Sequence, residues 1–348
     1  MPFSAFLRPR WEGRKKNLYG FVPFSNSHIF QSPGLWQGEA VALNESINSV
    51  CISKRRHAAG KRCMRTAVAC VLLFAGSRPC LASHTLTDEM GRTVTVPDHP
   101  HRLICLIPNV ADDVYALGAG ADVIAVSDFT KYPPEAGRKP SIGAPLNPSL
   151  ETIVALHPDL VIASADSNRQ ETVRELDQVR IPVFVINPRG IEGILRSLTS
   201  LGKALGREDA AAQLVAQLRA RLDAVRARSK DKPSIRIFMP VWYDPITTIG
   251  KHAFVTEMIA AAGGKSITDD IAQEWPQISL ELVIERNPEA LVLVQGSSMS
   301  VADVAKRPGW KTLAAIRNHR VYAIDERLEL PSPAAFDALE DLARQFHP

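Results

Sequence analysis

From residue 102 onward, apolar residues follow two alternating rhythms. Short unbroken runs (RLICLI at 102–107, DVIAVS at 122–127, DLVIAS at 159–164, PVFVIN at 182–187) alternate with stretches whose apolar residues recur every three or four positions. Continuous Val, Ile and Leu runs that alternate with helical periodicity predict a parallel sheet covered by helices on both faces. Asn109 reads as the cap of the helix VADDVYALG, which stops at Gly118 and Gly120. Ahead of this region, HTLTDEMGRTVTVPD at 84–98 alternates polar and apolar residues around Gly91, the pattern of a hairpin. From Ile191 to about Ser229 the rhythm is helical throughout, with Gly206 as one irregularity. Strand–helix alternation then resumes with SIRIFMPVW, a turn at Asp244 and Pro245, FVTEMIAAAGG, ALVLVQ, helices around Val301 and Lys311, RVYAID and the closing helix AAFDALEDLARQFH. The predicted fold class is α/β, with two Rossmann-like lobes of parallel sheet bridged by a single long backbone helix.

One phrase occurs twice. SLETIVALHPDLVI at 149–162 returns as SLELVIERNPEALVLV at 279–294, so Ser149, Glu151 and Pro158 match Ser279, Glu281 and Pro288 at a constant offset of 130. Each copy reads as a Ser-capped helix leading into a buried strand, and a Glu in the first turn is favoured by the helix dipole. Duplication adds a second reading. Two exposed acids at equivalent points of two lobes could meet two basic sockets on a partner with its own pseudo-symmetry, where charge pairs set orientation and association rate.

The 348 residues suffice for one large core or two medium ones, yet the first 63 show neither periodicity. MRTAVACVLLFAGSRPCLAS, which starts at Met64 and follows Lys61 and Arg62, has the basic start, short apolar run and small residue (Ala82) of a secretory signal peptide. The expected organisation is an extension plus signal over 1–82 (signal about 61–82), a lobe over 83–189, the connecting helix over 190–230 and a second lobe over 231–348. The expected location is the periplasm. A lipid anchor is not expected, because Cys70 lies inside the apolar run and Cys80 follows Arg78 and Pro79. Residues 1–82 hold 12 of the 41 Lys and Arg and 3 of the 37 acids, which leaves 29 bases against 34 acids, a net charge near −5, beyond them. The basic balance therefore belongs to the leader and does not point to nucleic acid. Cys105, alone in an apolar strand, reads as core.

Catalytic signatures are sparse: the chain has no Walker phosphate loop, GSSMS at 296–300 fails the nucleophile-elbow pattern, and LGAGAD ends a helix instead of opening one. No catalytic residue, metal site or resident cofactor is expected, and the protein does not read as an enzyme. Aromatics are more informative. Phe129 and Tyr132 follow one strand, Trp242 and Tyr243 end another, and Trp275 precedes Pro276. In open α/β sheets ligands sit beyond the carboxyl ends of strands, held by aromatic walls and a few polar groups. The alternative reading of each ring is a plug at the edge of a core.

The order RLICLIPNVADDVYALGAG, SDFTKYPPEA, SLETIVALHPDLVI, long helix, VWYDPITTIGKHAFVTEMIAAAGG, WPQISLELVIERNPEALVLV and PGWKTLAAIRNHRVYAID resembles the periplasmic binding proteins of ABC importers for cobalamin, ferric siderophores and haem, over essentially all of 84–348. SDFTKYPPEA and WPQISLE look most like the cobalamin receptors. This resemblance implies that Glu151 and Glu281 dock onto arginines of a permease dimer, that Phe129 and Trp275 contact the ligand, and that Trp242 and Tyr243 lie at the equivalent strand end of the second lobe. It implies a monomer that carries cobalamin as transported ligand, with a ferric siderophore or haem as alternatives. Near Pro145 and at Ser164, where a cobalamin receptor can carry tryptophan, this chain has none. Lys131 and Lys251 are the bases close to the candidate loops, few for an anionic chelate. Two other classes compete: an extracytoplasmic enzyme, for which Asp128, Asp244 and Glu274 are the acids to test, and a receptor that signals to a sensor instead of a permease.

Overall fold

The computed structural model describes residues 82–295 and 301–348. Apart from Ala82, the expected extension and signal segment, with Cys70 and Cys80, lie outside these residues. The described chain opens with the antiparallel hairpin β1 (Ser83–Thr87) and β2 (Thr93–Pro97), which turns through Gly91 at φ 79°. The first lobe continues with β3 (Leu103–Cys105), α1 (Pro108–Ala116), β4 (Val123–Val126), the small hairpin β5 (Gly143–Ala144) and β6 (Asn147–Pro148), α2 (Leu150–Ala155), β7 (Leu160–Ser164), α3 (Gln170–Gln178) and β8 (Val183–Ile186). Helices α4 (Gly190–Ala204) and α5 (Glu208–Ser229) lead to the second lobe. It comprises β9 (Ile235–Phe238), β10 (Pro240–Tyr243), β11 (Ile246–Thr248), α6 (Phe254–Ala261), β12 (Gly264–Ser266), α7 (Leu280–Arg286), β13 (Ala290–Val294), α8 (Val301–Lys306), α9 (Ala314–Arg317), β14 (Val321–Ile324) and α10 (Ala334–Phe346).

Each lobe holds a four-stranded parallel sheet, β4-β3-β7-β8 in the first and β12-β9-β13-β14 in the second. Counted within each sheet, both orders read 2-1-3-4, a doubly wound arrangement whose switch point lies between strands 1 and 3. The two-fold alternation of strand side chains divides the core. Leu103, Cys105, Leu160, Ile162, Phe184 and Ile186 face one way, and with Ile237, Val292, Val294 and Ile324 they join a single apolar cluster shared by both lobes. Their neighbours Ile104, Val161, Ala163 and Val183 face a core private to the first lobe, as Phe238, Leu291 and Leu293 do in the second. Helices α4, α5, α6 and α10 fill the shared cluster with Leu198, Leu222, Met258 and Leu339. The lobes are therefore joined by continuous packing as well as by chain.

Three local expectations change. Asn109 does not cap α1: the helix starts at Pro108, whose ring presets the first helical φ, and its N-cap Ile107 makes no side-chain bond. Asn109 is instead buried, one residue inside the helix. The helical span after Ile191 is two helices, because Gly206 adopts φ 62° and its N–H bonds back to Lys203 O, which ends α4. The long connection is α5 alone, 22 residues and about 33 Å at 1.5 Å per residue. It packs Leu218, Leu222 and Val225 inward, pairs Arg219 with Glu192 of α4 at 2.7 Å and pairs Arg221 with Asp337 and Glu340 of α10 at 2.6 Å each. Finally, SIRIFMPVW is not one strand. Pro240 has no N–H for the ladder, and beyond it β10 leaves the main sheet to pair with β11.

Candidate functional site

The repeated phrase sits at the same place in both sheets, ahead of strand 3. Ser149 accepts the Thr152 N–H at 3.2 Å and Ser279 accepts the Leu282 N–H at 3.2 Å, which caps the two helices alike. The match extends to the far end of each helix: His157 and Asn287, again 130 apart, both turn left-handed (φ 46° and 39°) ahead of the matched prolines. Ile153 and Val283 are the buried anchors, whereas Glu151 and Glu281 are both exposed. The backbone N–H of Glu281 and the Ser279 hydroxyl hold the Glu281 carboxyl below the usual range, ionised at neutral pH.

Helices that lead into strands of a parallel sheet run back against them, so their N-termini lie beside its carboxyl edge. In the first lobe, backbone bonds make that link explicit. Ser149 N–H donates to Ile142 O at 2.7 Å, Ile142 N–H to Val126 O at 2.9 Å and Asp128 N–H to Gly143 O at 2.8 Å. One ladder thus carries both Glu151 and Phe129, which is held at φ 67° and is 37% exposed. A non-glycine residue in this region is a strained feature of the kind that clusters at functional sites. In the second lobe, Ile278 N–H donates to Ile246 O, Thr248 N–H to Pro276 O and Gly250 N–H to Glu274 O, at 2.8–3.0 Å. This second ladder carries Trp275 and, three residues past Ile278, Glu281.

The other predicted aromatics separate. Trp242 is half-buried, its Nε1–H bonded to Asp244 O at 2.9 Å. Tyr243 is a core residue and not an open wall: it is 6% exposed, 6.3 Å from the Trp310 ring, with the Arg307 guanidinium 5.2 Å from its centroid. Strand alternation turns these neighbours to opposite faces. Tyr132 reaches the second lobe, where Arg327 stacks 5.6 Å from its ring. Burial, then Asp325 and Glu326, push the Tyr132 hydroxyl up against the pull of Arg327. Beside it, Lys131 Nζ pairs with both oxygens of Glu326 at 2.8 and 2.9 Å, so this base ties the lobes together.

Sequence reasoning did not find this tie, nor the groups around Glu274. The Glu274 carboxyl is pushed up by burial and by Asp166 of the first lobe, against Arg189. Asp166 and Arg189 follow β7 and β8 in the first lobe, and the charges of both act on Glu274 of the second. Of the other two acids singled out, Asp128 accepts the Ser141 hydroxyl, and Asp244 is exposed, as Glu274 is. The two positions without tryptophan are physically linked. Asn168 accepts the Ser164 N–H at 2.8 Å and donates to Pro145 O at 2.9 Å, a polar knot around a fully buried Ser164. A cavity of about 760 Å³ opens elsewhere, between α4, α5 and α6, and none of the predicted residues lines it. Among the described residues, no group of three or more His, Cys, Asp or Glu side chains is arranged to hold a metal ion.

Residues 103–328 match the family described as periplasmic binding protein. The chain belongs to the periplasmic binding protein family. An uncharacterised ABC transporter substrate-binding lipoprotein of Bacillus subtilis is 31% identical over 273 residues, 76% of this chain and 85% of the relative. A vitamin B12-binding protein of Vibrio parahaemolyticus is 28% identical over 257 residues, 73% of this chain and 92% of the relative. The solved structure of a periplasmic haem-binding protein from Roseiflexus in apo form superposes with a TM-score of 0.66 at 27% identity, covering 71% of this chain and 98% of that one. A periplasmic binding protein binds a small molecule and works with a membrane permease, and the two-lobed fold here is that of the family.

Gly250 tests how this binding protein holds its second-lobe aromatic. A Cβ there would stand 1.9 Å from Gln273 O and 2.9 Å from Ile271 O, so only glycine lets the two backbones approach. Gly250→Ala should cost about 1–3 kcal/mol of stability in urea unfolding, as overpacking does. Because the ladder that carries Trp275 must shift, ligand affinity should fall roughly tenfold or more if Trp275 contacts the ligand, a change of about 1.4 kcal/mol per decade. Unchanged affinity in a titration would count against Trp275 as a ligand contact held by this ladder.

Proposed function

We propose that this protein captures a corrinoid of the cobalamin type between its lobes, outside the cytoplasm, and hands it to an ABC importer without a chemical step. The observation that carries the reading is the composition of the inter-lobe loops. Each lobe offers an aromatic, Phe129 or Trp275, on the same ladder as its exposed glutamate, while the charges that act on Glu274 are an acid, Asp166, and a base, Arg189. A large ring system fringed with amides suits aromatic faces and carboxylate acceptors. An anionic ferric chelate suits these loops less, because Arg189 is one base against the two acids Asp166 and Glu274. The Vibrio relative, a vitamin B12-binding protein, supports the same choice. Glu151 and Glu281 then serve as the two permease-docking points, and the carrier acts as a monomer.

Haem is the second reading, favoured by the Roseiflexus structure. Titration of the purified protein with cyanocobalamin, haemin and a ferric siderophore, followed by tryptophan quenching and calorimetry, separates the ligands. Cobalamin should bind at micromolar concentration or below. Binding of haemin or the ferric chelate alone would overturn the assignment.

A further inference from the structure

Two contacts between the lobes mirror each other. Asp112 lies on α1, the helix after strand 1 of the first sheet, and its Oδ2 accepts the N–H of Ala334 at 3.0 Å. Ala334 is the first residue of α10, the helix that follows strand 4 of the second sheet. Glu257 lies on α6, the helix after strand 1 of the second sheet and its β10–β11 hairpin, and its Oε2 accepts the N–H of Ile191 at 2.9 Å. Ile191 is the second residue of α4, the helix that follows strand 4 of the first sheet.

Each lobe therefore supplies an acid to the first turn of a helix from the other. The first N–H groups of a helix have no partner within it, and the N-terminal end of its dipole favours a carboxylate, so both contacts are directional. Neither helix has a side-chain cap of its own: Arg189 and Pro333 at the two N-cap positions make no such bond. Gly190, at φ 68°, fits the second contact closely, since a Cβ there would stand 2.7 Å from Glu257 Oε1.

We infer that Asp112 and Glu257 are positioning residues whose reciprocal caps hold the lobes in one orientation and so fix the spacing of Glu151 and Glu281. This rests on the docking role proposed for the two glutamates. Two-point attachment gains strength only while both points reach their sockets together, so looser spacing weakens it without altering either contact. The shared apolar core prevents the lobes from separating, and the caps select one relative orientation among those the apolar packing allows.

Spin labels on a genetically encoded keto amino acid at positions 151 and 281 of the full chain leave the cysteines untouched and report the spacing by pulsed electron resonance. Asp112→Ala with Glu257→Ala should broaden or shift the distance distribution, while Asp112→Asn with Glu257→Gln, which keep an acceptor oxygen, should restore it. Circular dichroism checks folding, and the single Ala variants carry the test where the double one does not fold. An unchanged distribution, or equal broadening in the Asn and Gln variants, would overturn the inference. Unlabelled double Ala protein should bind vesicle-embedded permease roughly tenfold more weakly. A broadened distribution with unaltered permease binding would leave the caps standing and remove the docking reading instead.

Discussion

Replacing Glu151 and Glu281 together by alanine should reduce uptake to the level seen without the binding protein and leave ligand affinity within about twofold, as expected for sites that share no partners. Both carboxylates are exposed, and each sits one residue inside a short helix whose cap is a serine hydroxyl. Losing a first-turn carboxylate costs only about 0.3–1 kcal/mol of helix-dipole interaction, too little to unfold a lobe. The effect on docking is of another size. Removing one partner of a close interfacial charge pair costs about 2–5 kcal/mol, and loss of both removes the two-point advantage as well. Single variants should fall between the extremes. Uptake by reconstituted vesicles and calorimetric ligand binding check the two halves separately. A fall in affinity that matched the fall in uptake would place the glutamates in the ligand site.

Trp310→Ala should be the most destabilising single change considered, at about 3–5 kcal/mol in urea unfolding, as is usual when a large buried ring is removed. Trp310 is 2% exposed, with its ring 5.7 Å from Phe238 and 6.3 Å from Tyr243. Gly309 before it turns at φ 80°, so close to Leu280 that a Cβ would stand 2.9 Å from that side chain. Leu280 is the first residue of the helix that bears Glu281. Loss of the ring therefore loosens the strand end after β9 and the support beneath the helix that bears Glu281 together. A cost below about 1 kcal/mol would mean that the cavity collapses without strain, against the usual incomplete relaxation.

Much of the fold was legible because it is locally encoded. Unbroken apolar runs mark strands buried on both faces, helical periodicity marks their covers, and a serine followed by a helix-forming stretch marks a cap. The 130-residue repeat was legible for the same reason, down to the matched serine, glutamate and proline. Local reasoning failed where two local signals competed. At Asn109 a neighbouring proline already starts the helix, and in SIRIFMPVW the apolar run hides the proline that divides it. Tyr243 could not be separated from Trp242 by pattern, since burial of a loop-end aromatic depends on what packs over it, here Trp310 and Arg307.

The sequence by itself determined the two α/β lobes, the helical character of the segment between them and the matched positions of Glu151 and Glu281, because periodicity, capping and turn chemistry act within a few residues. Only the tertiary structure decided how the lobes meet. Lys131 pairs with Glu326 across 195 positions, Asp112 with Ala334 across 222 and Glu257 with Ile191 across 66. An isolated lysine, aspartate or glutamate carries no mark of its distant partner. Such pairs exist only once the shared apolar core has set one lobe against the other, and hydrogen bonds and ion pairs act only over the few ångströms that this placement leaves.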